Sequence, residues 1–515
     1  MPQNFIGCDR DQALLLPPSL LDWVPEDHVV WTILGAVDEL DLSAFYGAYR
    51  ADGHGRPAFE PSMMVALLLY AYARGNRSSR GIERACREDV AYMVVSAQRA
   101  PDHSTIAEFR KRHEQALADL FTGVLGLCRQ AGLVEVGVIA IDGTKVAANA
   151  SLDANRGYQR IAREILEQAA ETDRVEDELY GSARGDELPE QLRTREGRRA
   201  ALREAKRKLD EQKAKPQEGA VDEEPDPVVG CELDPEQFVT RSGGRRNWLR
   251  EGRRVLDQMR EQQARPIARS RVARFEESAR RLEENLTVER AANDAYEAYR
   301  GRGVMKDGRR FGGPPTPYQP PETPAGRINT TDHDSRIVGT VGQPAIQGYN
   351  AQAAVNERQI IIAAEITIDS PDFGHLEPMV NATLRELQDA GVTETPGIVV
   401  ADPGYWHKTQ LENVVNRGIQ VLVPPDSGLR KDARPGWNKG LYAFMRQVLA
   451  TDHGKTIYRK RQATVEPVFG QLKFNRRIDR FQRRGRSAVR SEWRLAAATH
   501  NLLKIHNHRI AATKA

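Results

Sequence analysis

The chain has 515 residues, room for two to four domains, of which 40% are hydrophobic and 29% charged, which suits a protein with a core and a water-facing surface. The longest apolar run, Met63 to Tyr72, is too short to cross a bilayer, and Met1-Pro-Gln-Asn-Phe5 lacks the basic and apolar regions of a signal peptide. Four scattered cysteines (Cys8, Cys86, Cys128, Cys231) exclude a disulfide framework or zinc finger and fit a reducing cytosol.

The net charge of +3 hides an asymmetry. Residues 455–515 carry 16 Lys and Arg against Glu466, Asp479 and Glu492, a surplus of +13 that leaves the remainder at −10. A basic block beside acids is what a protein handling a polyanion needs. The plainer reading is a solvated basic tail, but Phe469, Leu472, Phe474, Ile478, Phe481 and Trp493 are interleaved with the charges, so the segment is expected to fold.

Residues 1–134 read as an all-α domain. Leu20 to Tyr49 and Pro61 to Arg74 carry apolar residues at helical spacing, and Ser78 to Arg87 and Ile106 to Leu127 look like further helices. Thr105-x-x-Glu108 matches a capping box, and Arg110, Lys111 and Arg112 follow on what should be the exposed side. A short helix, a turn and a capped basic helix resemble a helix-turn-helix DNA reader, although many helical domains contain such pairs.

The next stretch is Val136-Gly-Val-Ile-Ala-Ile-Asp-Gly-Thr-Lys-Val146. Val136 to Ile141 predict a strand buried on both faces. It ends on Asp142, and Gly143 allows a turn. An acid at the mouth of a buried strand is costly unless something cationic receives it.

Residues 152–330 change character: Glu, Arg, Lys and Ala dominate. Ile161 to Val175, Leu192 to Lys213, Trp248 to Gln263 and Val272 to Tyr299 read as charged helices with thin apolar stripes, and Lys213 to Pro235 and Phe311 to Pro324 as linkers. This predicts an inserted helical subdomain; a disordered charged spacer is the alternative.

The β pattern then resumes. Ala345 to Val355 and Gln359 to Ile368 read as a hairpin, and His375 to Ala390 as a helix stopped by Gly391. A second strand, Gly397 to Ala401, ends on an acid, Asp402, before Pro403-Gly404. Lys408 to Asn416 is a helix, Ile419 to Val423 a strand, Tyr442 to Ala450 a helix, and the chain from Tyr458 onward is basic and helical. Without the insert, this order matches an RNase-H-like mixed sheet with helices, in which the first and fourth strands lie side by side. Asp142 and Asp402 would then meet, as a shared divalent-metal site requires. Each could also merely cap a turn, since Asp-Gly and Asp-Pro-Gly are ordinary turn sequences.

The third acid of such a core usually lies on a helix after the last strand. Tyr458 to Lys473 offers Glu466, with Val465, Phe469 and Leu472 as the buried stripe and Lys473 on a neighbouring face. Pro467 predicts a helix start or kink at Glu466. Glu492 is a second, weaker candidate.

Here a resemblance becomes specific. Ile141-Asp-Gly-Thr-Lys145, Thr331-Asp-His-Asp-Ser-Arg336, Gln347-Gly-Tyr-Asn-Ala-Gln352, Ala401-Asp-Pro-Gly-Tyr405, Thr464-Val-Glu-Pro-Val-Phe-Gly470, Arg484-Gly485 and Asn501-Leu-Leu-Lys504 resemble bacterial insertion-sequence transposases with a DDE core. Within the IS-four/IS-five-like superfamily, the chain is most similar to the group with a helical N-terminal domain and a large insert between the two Asp residues. The superfamily's Tyr-x2-Arg-x3-Glu-x6-Lys signature is met by Tyr458, Arg461, Glu466 and Lys473, except that four residues separate Arg461 from Glu466.

The resemblance implies a catalytic core of 135–151 and 331–515, interrupted by the insert 152–330, in a DNA transposase whose catalytic and metal-holding acids are Asp142, Asp402 and Glu466. Two Mg²⁺ ions, with Mn²⁺ as a substitute, would serve end cleavage and joining of the 3′-hydroxyl to target DNA by in-line phosphoryl transfer. Tyr458, Arg461, Lys473, Arg476, Arg477, Arg483 and Arg484 would contact DNA, and Tyr405 and Trp406 would stack on a base. For that last pair, packing under the sheet edge is the alternative. Asp332, Asp334 and Asn350 would support the site. The implied partners are double-stranded terminal repeats and target DNA, bound by a homodimer in the bacterial cytoplasm at the nucleoid, with no membrane. The rivals are a metal-dependent nuclease that cuts without joining, a non-catalytic DNA-binding derivative, and a scaffold built on the charged helices.

Overall fold

The structure is a computed structural model that describes residues 19–49, 57–180, 244–262, 267–268, 270–305, 308, 310–313, 317–319, 321–339, 342, 344–426 and 439–514. The helix expected over Leu192 to Lys213, the linker Lys213 to Pro235, and Cys8 and Cys231 lie outside them.

In chain order the helices are α1 (Val29–Glu39), α2 (Ser43–Tyr46), α3 (Pro61–Ala73), α4 (Ser79–Glu88), α5 (Val90–Val95), α6 (His103–Arg112), α7 (Glu114–Gln130), α8 (Tyr158–Tyr180), α9 (Arg245–Gln262), α10 (Arg271–Gly301), α11 (Leu376–Asp389), α12 (Lys408–Val415), α13 (Gly440–Ala450), α14 (Asp452–Gly470) and α15 (Arg486–Lys514). The strands are β1 (Val138–Ala147), β2 (Asn155–Arg156), β3 (Ile328–Asn329), β4 (Arg336–Val338), β5 (Ile346–Asn356), β6 (Ile361–Thr367), β7 (Ile398–Ala401) and β8 (Gln420–Leu422).

Two compact units result: residues 1–154 with 331–515, and residues 155–330. In the first, one mixed sheet runs β4-β5-β1-β7-β8, with β6 paired to β5. β1 lies antiparallel to β5 and parallel to β7, with Ile141 opposite Ala401. That register puts the next residues, Asp142 and Asp402, side by side. β7 and β1 up to Ile141 are apolar on both faces because helices cover the sheet, whereas β5 also buries Gln347, Asn350, Gln352 and Asn356. The N-terminal helices join this same core: α3 is buried all round from Met64 to Tyr72, and α15 packs on α7, α3 and β6.

Several expectations change. β1 does not turn at Gly143 but continues to Ala147. Ile106 to Leu127 is two helices, broken at His113. α6 starts at His103, where Asp102 accepts the N–H of Thr105, so Thr105-x-x-Glu108 lies inside the helix and is not its cap. Glu466 is inside α14, not at a helix start. Pro467 supplies no N–H for the carbonyl of Ala463, four residues back. The Gln359 side chain donates to that carbonyl at 3.0 Å, so the helix runs through.

The second unit is built on α8, α9 and α10 with the small β2-β3 ladder. Trp248, Ala295, Tyr296 and Tyr299 form one thin core, and Ile161, Phe275, Leu282 and Ile328 another. Ion pairs such as Arg260–Glu284 at 2.7 Å fill the rest.

Candidate active site

The acids gather where β1 passes the end of β7. Asp142 sits mid-strand on β1; its Oδ1 accepts the N–H of Gly143 at 2.8 Å, and its Oδ2 accepts Arg461 Nη1 at 2.7 Å. Asp402 follows the last residue of β7 and accepts the N–H of Gly404 at 2.9 Å, so it does cap the turn at Pro403. Arg461, from α14, reaches Glu466 more loosely, at 3.8 Å. Its Nε is buried without a hydrogen-bond partner.

Electrostatics mark the corner. Burial pushes the Asp142 carboxyl up to about 6; Arg461 opposes that rise, and the Asp402 and Asp372 charges add to it. Asp402 is raised by burial and then by Asp372, again against Arg461. Crowded carboxylates in a low dielectric resist ionisation together, and one guanidinium does not offset them. Tyr458 faces the same charges, half-buried, its phenol raised by burial.

Asp372 and Lys145 are the members that sequence reasoning missed. Lys145 Nζ lies 3.3 Å from Asp372 Oδ1. Ser370-Pro-Asp-Phe-Gly374 reads as a turn, and no spacing distinguishes Asp372 from a turn acid. Lys145 stands in a quoted motif, yet its role appears only once β1 continues past Gly143.

The remaining predicted residues divide. Lys473, in the π-helical turn Gln471–Asn475 that follows α14, is half-buried and donates to the carbonyl of Lys145 on β1 at 2.8 Å. Arg477 and Arg484 are exposed, and Arg484 donates to the carbonyl of Asn149. Arg483 pairs with Glu114. Arg476 is buried against His500, and burial lowers it to about 10, so it faces the core and not DNA. Lys111 and Arg112 are exposed, but Arg110 is buried over the Tyr72 ring and donates to the carbonyl of Arg77. Tyr405 is fully buried with its hydroxyl on Gln352, which closes it to an unpaired base. Trp406 is partly exposed, edge-on to Tyr442 at 4.7 Å. Asp332 and Asp334 accept the N–H groups of Gly485 and Arg486 at the start of α15. Asn350, by contrast, donates to Asp372 and belongs to the acid corner. Glu492 is buried in an ion pair with Arg77 at 2.9 Å.

Two stretches match known family models. Residues 18–112 match a transposase domain, and residues 429–506 match a transposase DDE domain. The chain carries the domains of a DDE transposase. The second match holds Glu466, Arg461 and Lys473, whereas Asp142 and Asp402 lie outside both. No curated protein and no solved structure matches the chain closely enough to be compared. Among the described residues no helix is long and apolar enough to cross a membrane.

DDE transposases generally use divalent metal ions. The donor chemistry here fits one. The oxygens are hard, the sheet carries no His or Cys ligand set, and the Arg461 guanidinium stands between carboxylates as a cation would. Among the described residues no three acids are drawn in close enough to hold an ion, and the Glu466 side chain is 57% exposed.

Proposed function

We propose that this DNA transposase cuts the ends of an insertion element and joins the freed 3′-hydroxyl to target DNA, with Asp142, Asp402 and Glu466 as the ion-holding acids. The observation carrying this is the parallel pairing of β1 with β7, which sets Asp142 beside Asp402 under the helix that bears Glu466. The sheet order supports an RNase-H-like core, and the motifs support the IS-four/IS-five-like superfamily. Two divalent ions, held by these acids, would supply nucleophile activation and charge neutralisation at the leaving oxygen. Mn²⁺ would substitute for Mg²⁺.

The chain's own residues do the rest. Arg461, which pairs with Asp142 here, would serve a phosphate oxygen of bound DNA, and Glu466 would complete the acid set. Lys473 and Tyr458 line the phosphate track. Exposed Arg477, Arg484, Lys111 and Arg112 hold DNA flanking the cut, element ends and target alike. A homodimer would bring two element ends together; residues 155–330 form the charged helical insertion, and the protein works in the bacterial cytoplasm at the nucleoid.

End-labelled DNA carrying the repeats that flank the gene tests this. Wild type should nick at the repeat and then join the end to a plasmid in Mg²⁺. Asp142→Asn, Asp402→Asn and Glu466→Gln should each abolish both steps while the DNA stays bound. Cutting without joining would favour a nuclease, and robust cutting by the Asp402 variant would remove that residue from the set.

A further inference from the structure

The acid corner holds one more carboxylate than the three argued above. Asp372 lies in the turn between β6 and α11. Its Oδ1 accepts Asn350 Nδ2 at 2.7 Å, Gln352 Nε2 at 2.8 Å and Lys145 Nζ at 3.3 Å. Its Oδ2 takes no hydrogen bond among the described residues.

Two glycines show where it stands. A Cβ on Gly143, next to Asp142, would lie 2.5 Å from Asp372 Oδ1. A Cβ on Gly404, two residues past Asp402, would lie 3.0 Å from Asp402 Oδ1 and 3.6 Å from Asp372 Cβ. Asp372 is therefore wedged between the two strand-end acids. At Gly143 a side chain is excluded by this carboxylate together with the Gln352 and Asn350 amides, and not by a turn.

A separate observation points to a ligand. Asn350 is fully buried, and its Oδ1 has no hydrogen-bond donor. The same Gly143 Cβ would lie 2.7 Å from that oxygen. A buried amide oxygen is seldom left open; of the groups beside that same point, the Asp372 carboxylate donates nothing and the Gln352 amide donates to Asp372. A cation satisfies that oxygen and the carboxylate. The charges agree in sign: Asp142, Asp372, Asp402 and Glu466 outnumber Lys145 and Arg461, which leaves the corner negative.

We propose that Asp372 is a fourth carboxylate of this site and that it shares with Asp402 the seat of a divalent cation. The proposal rests on the metal-dependent reading above.

Mn²⁺ titration of the full chain without DNA, read by electron paramagnetic resonance, tests it apart from activity. Asp372→Asn keeps the side chain's size and removes its charge. It should weaken Mn²⁺ binding at least tenfold, as Asp402→Asn does, and leave affinity for end DNA unchanged. Wild-type binding by the Asp372 variant, alongside weakened binding by the Asp402 variant, would make Asp372 only an anchor for Asn350, Gln352 and Lys145. Full binding by both variants, or none by wild type, would overturn the metal reading as well. A second measurement needs no variant. Fe²⁺ bound to the wild-type chain should cut the backbone near residues 142, 372 and 402 on peroxide treatment; cuts near 142 and 402 alone would sink the proposal.

Discussion

Two acid-bearing regions of one core can be compared directly. Glu492 is 1% exposed, and its oxygens accept Arg77 Nη1, the N–H of Gln482 and the N–H of Arg483. Arg77 also donates to the carbonyls of Arg480 and Arg477, so acid and base together fasten the loop before α15. At the acid corner, Asp142 has one backbone donor and Arg461, Asp402 has one backbone donor, and Glu466 has only a distant guanidinium. Both regions are acid beside base. In one, the protein satisfies every oxygen; in the other, oxygens are left for something else. Burial of a carboxylate therefore says little about chemistry until its hydrogen bonds are traced.

The sharpest way to break this contrast is to neutralise one acid on each side. Glu492→Gln should cost about 3–5 kcal/mol, because it leaves Arg77 buried and unpaired. Asp402→Asn should leave stability level or higher in metal-free buffer, since it relieves repulsion from Asp372. Urea melts with a chelator present would show both. A large loss for the Asp402 variant would mean that its turn cap matters more than its charge.

A pH series sharpens the same point. Asp142 sits at about 6 in the fold, above its ordinary 3.8, so the fold favours its protonated form. The stability it contributes is complete below about pH 4 and is lost as pH rises through 6. Relative to Asp142→Asn, the metal-free wild type should lose about 3 kcal/mol between pH 4 and pH 7.5. Saturating Mn²⁺ should flatten that difference. A flat difference without metal would show that Arg461 already neutralises the corner.

Gly143→Ala probes the crowding itself. Its methyl would press on Gln352 Nε2, Asp372 Oδ1 and Asn350 Oδ1, costing about 1–3 kcal/mol by overpacking. Mn²⁺ affinity should fall with it. Unchanged Mn²⁺ binding would place the ion away from Asp372.

Much of this was legible in the sequence. The runs Val138 to Ile141 and Ile398 to Ala401 announced buried strands, and the likeness of the element order to an RNase-H-like sheet predicted that these two would neighbour. What stayed hidden was tertiary. Asp372 reads as a turn acid until β5 brings Asn350 and Gln352 beside it. Arg110 and Arg476 look like surface charge in a basic run, and only the packing of Tyr72 and His500 shows them buried. Tyr405 promised an aromatic face, but its hydroxyl binds Gln352 inside the core. Charge counts along a chain cannot tell a guanidinium that meets DNA from one that holds two helices together.

The smallest expected effect concerns Pro467, where local sequence rules and the fold disagree. Proline inside α14 leaves the Ala463 carbonyl without its helical donor, and the Gln359 amide supplies one at 3.0 Å. Gln359→Ala should therefore cost about 1 kcal/mol. Residue 359 has φ of +61°, a strain Ala shares with Gln, so the change reads the side chain and not the backbone. Gln359 Oε1 also accepts Lys504, and that loss is included in the single variant. A double-mutant cycle separates the two. In a Pro467→Ala background the restored N–H takes the Ala463 carbonyl, and Gln359→Ala should then cost only the Lys504 part. A coupling of about 0.5–1 kcal/mol in chemical melts is expected. Zero coupling would show that α14 tolerates the open carbonyl, and that Glu466 is held in place by the buried neighbours Val465 and Val468 alone.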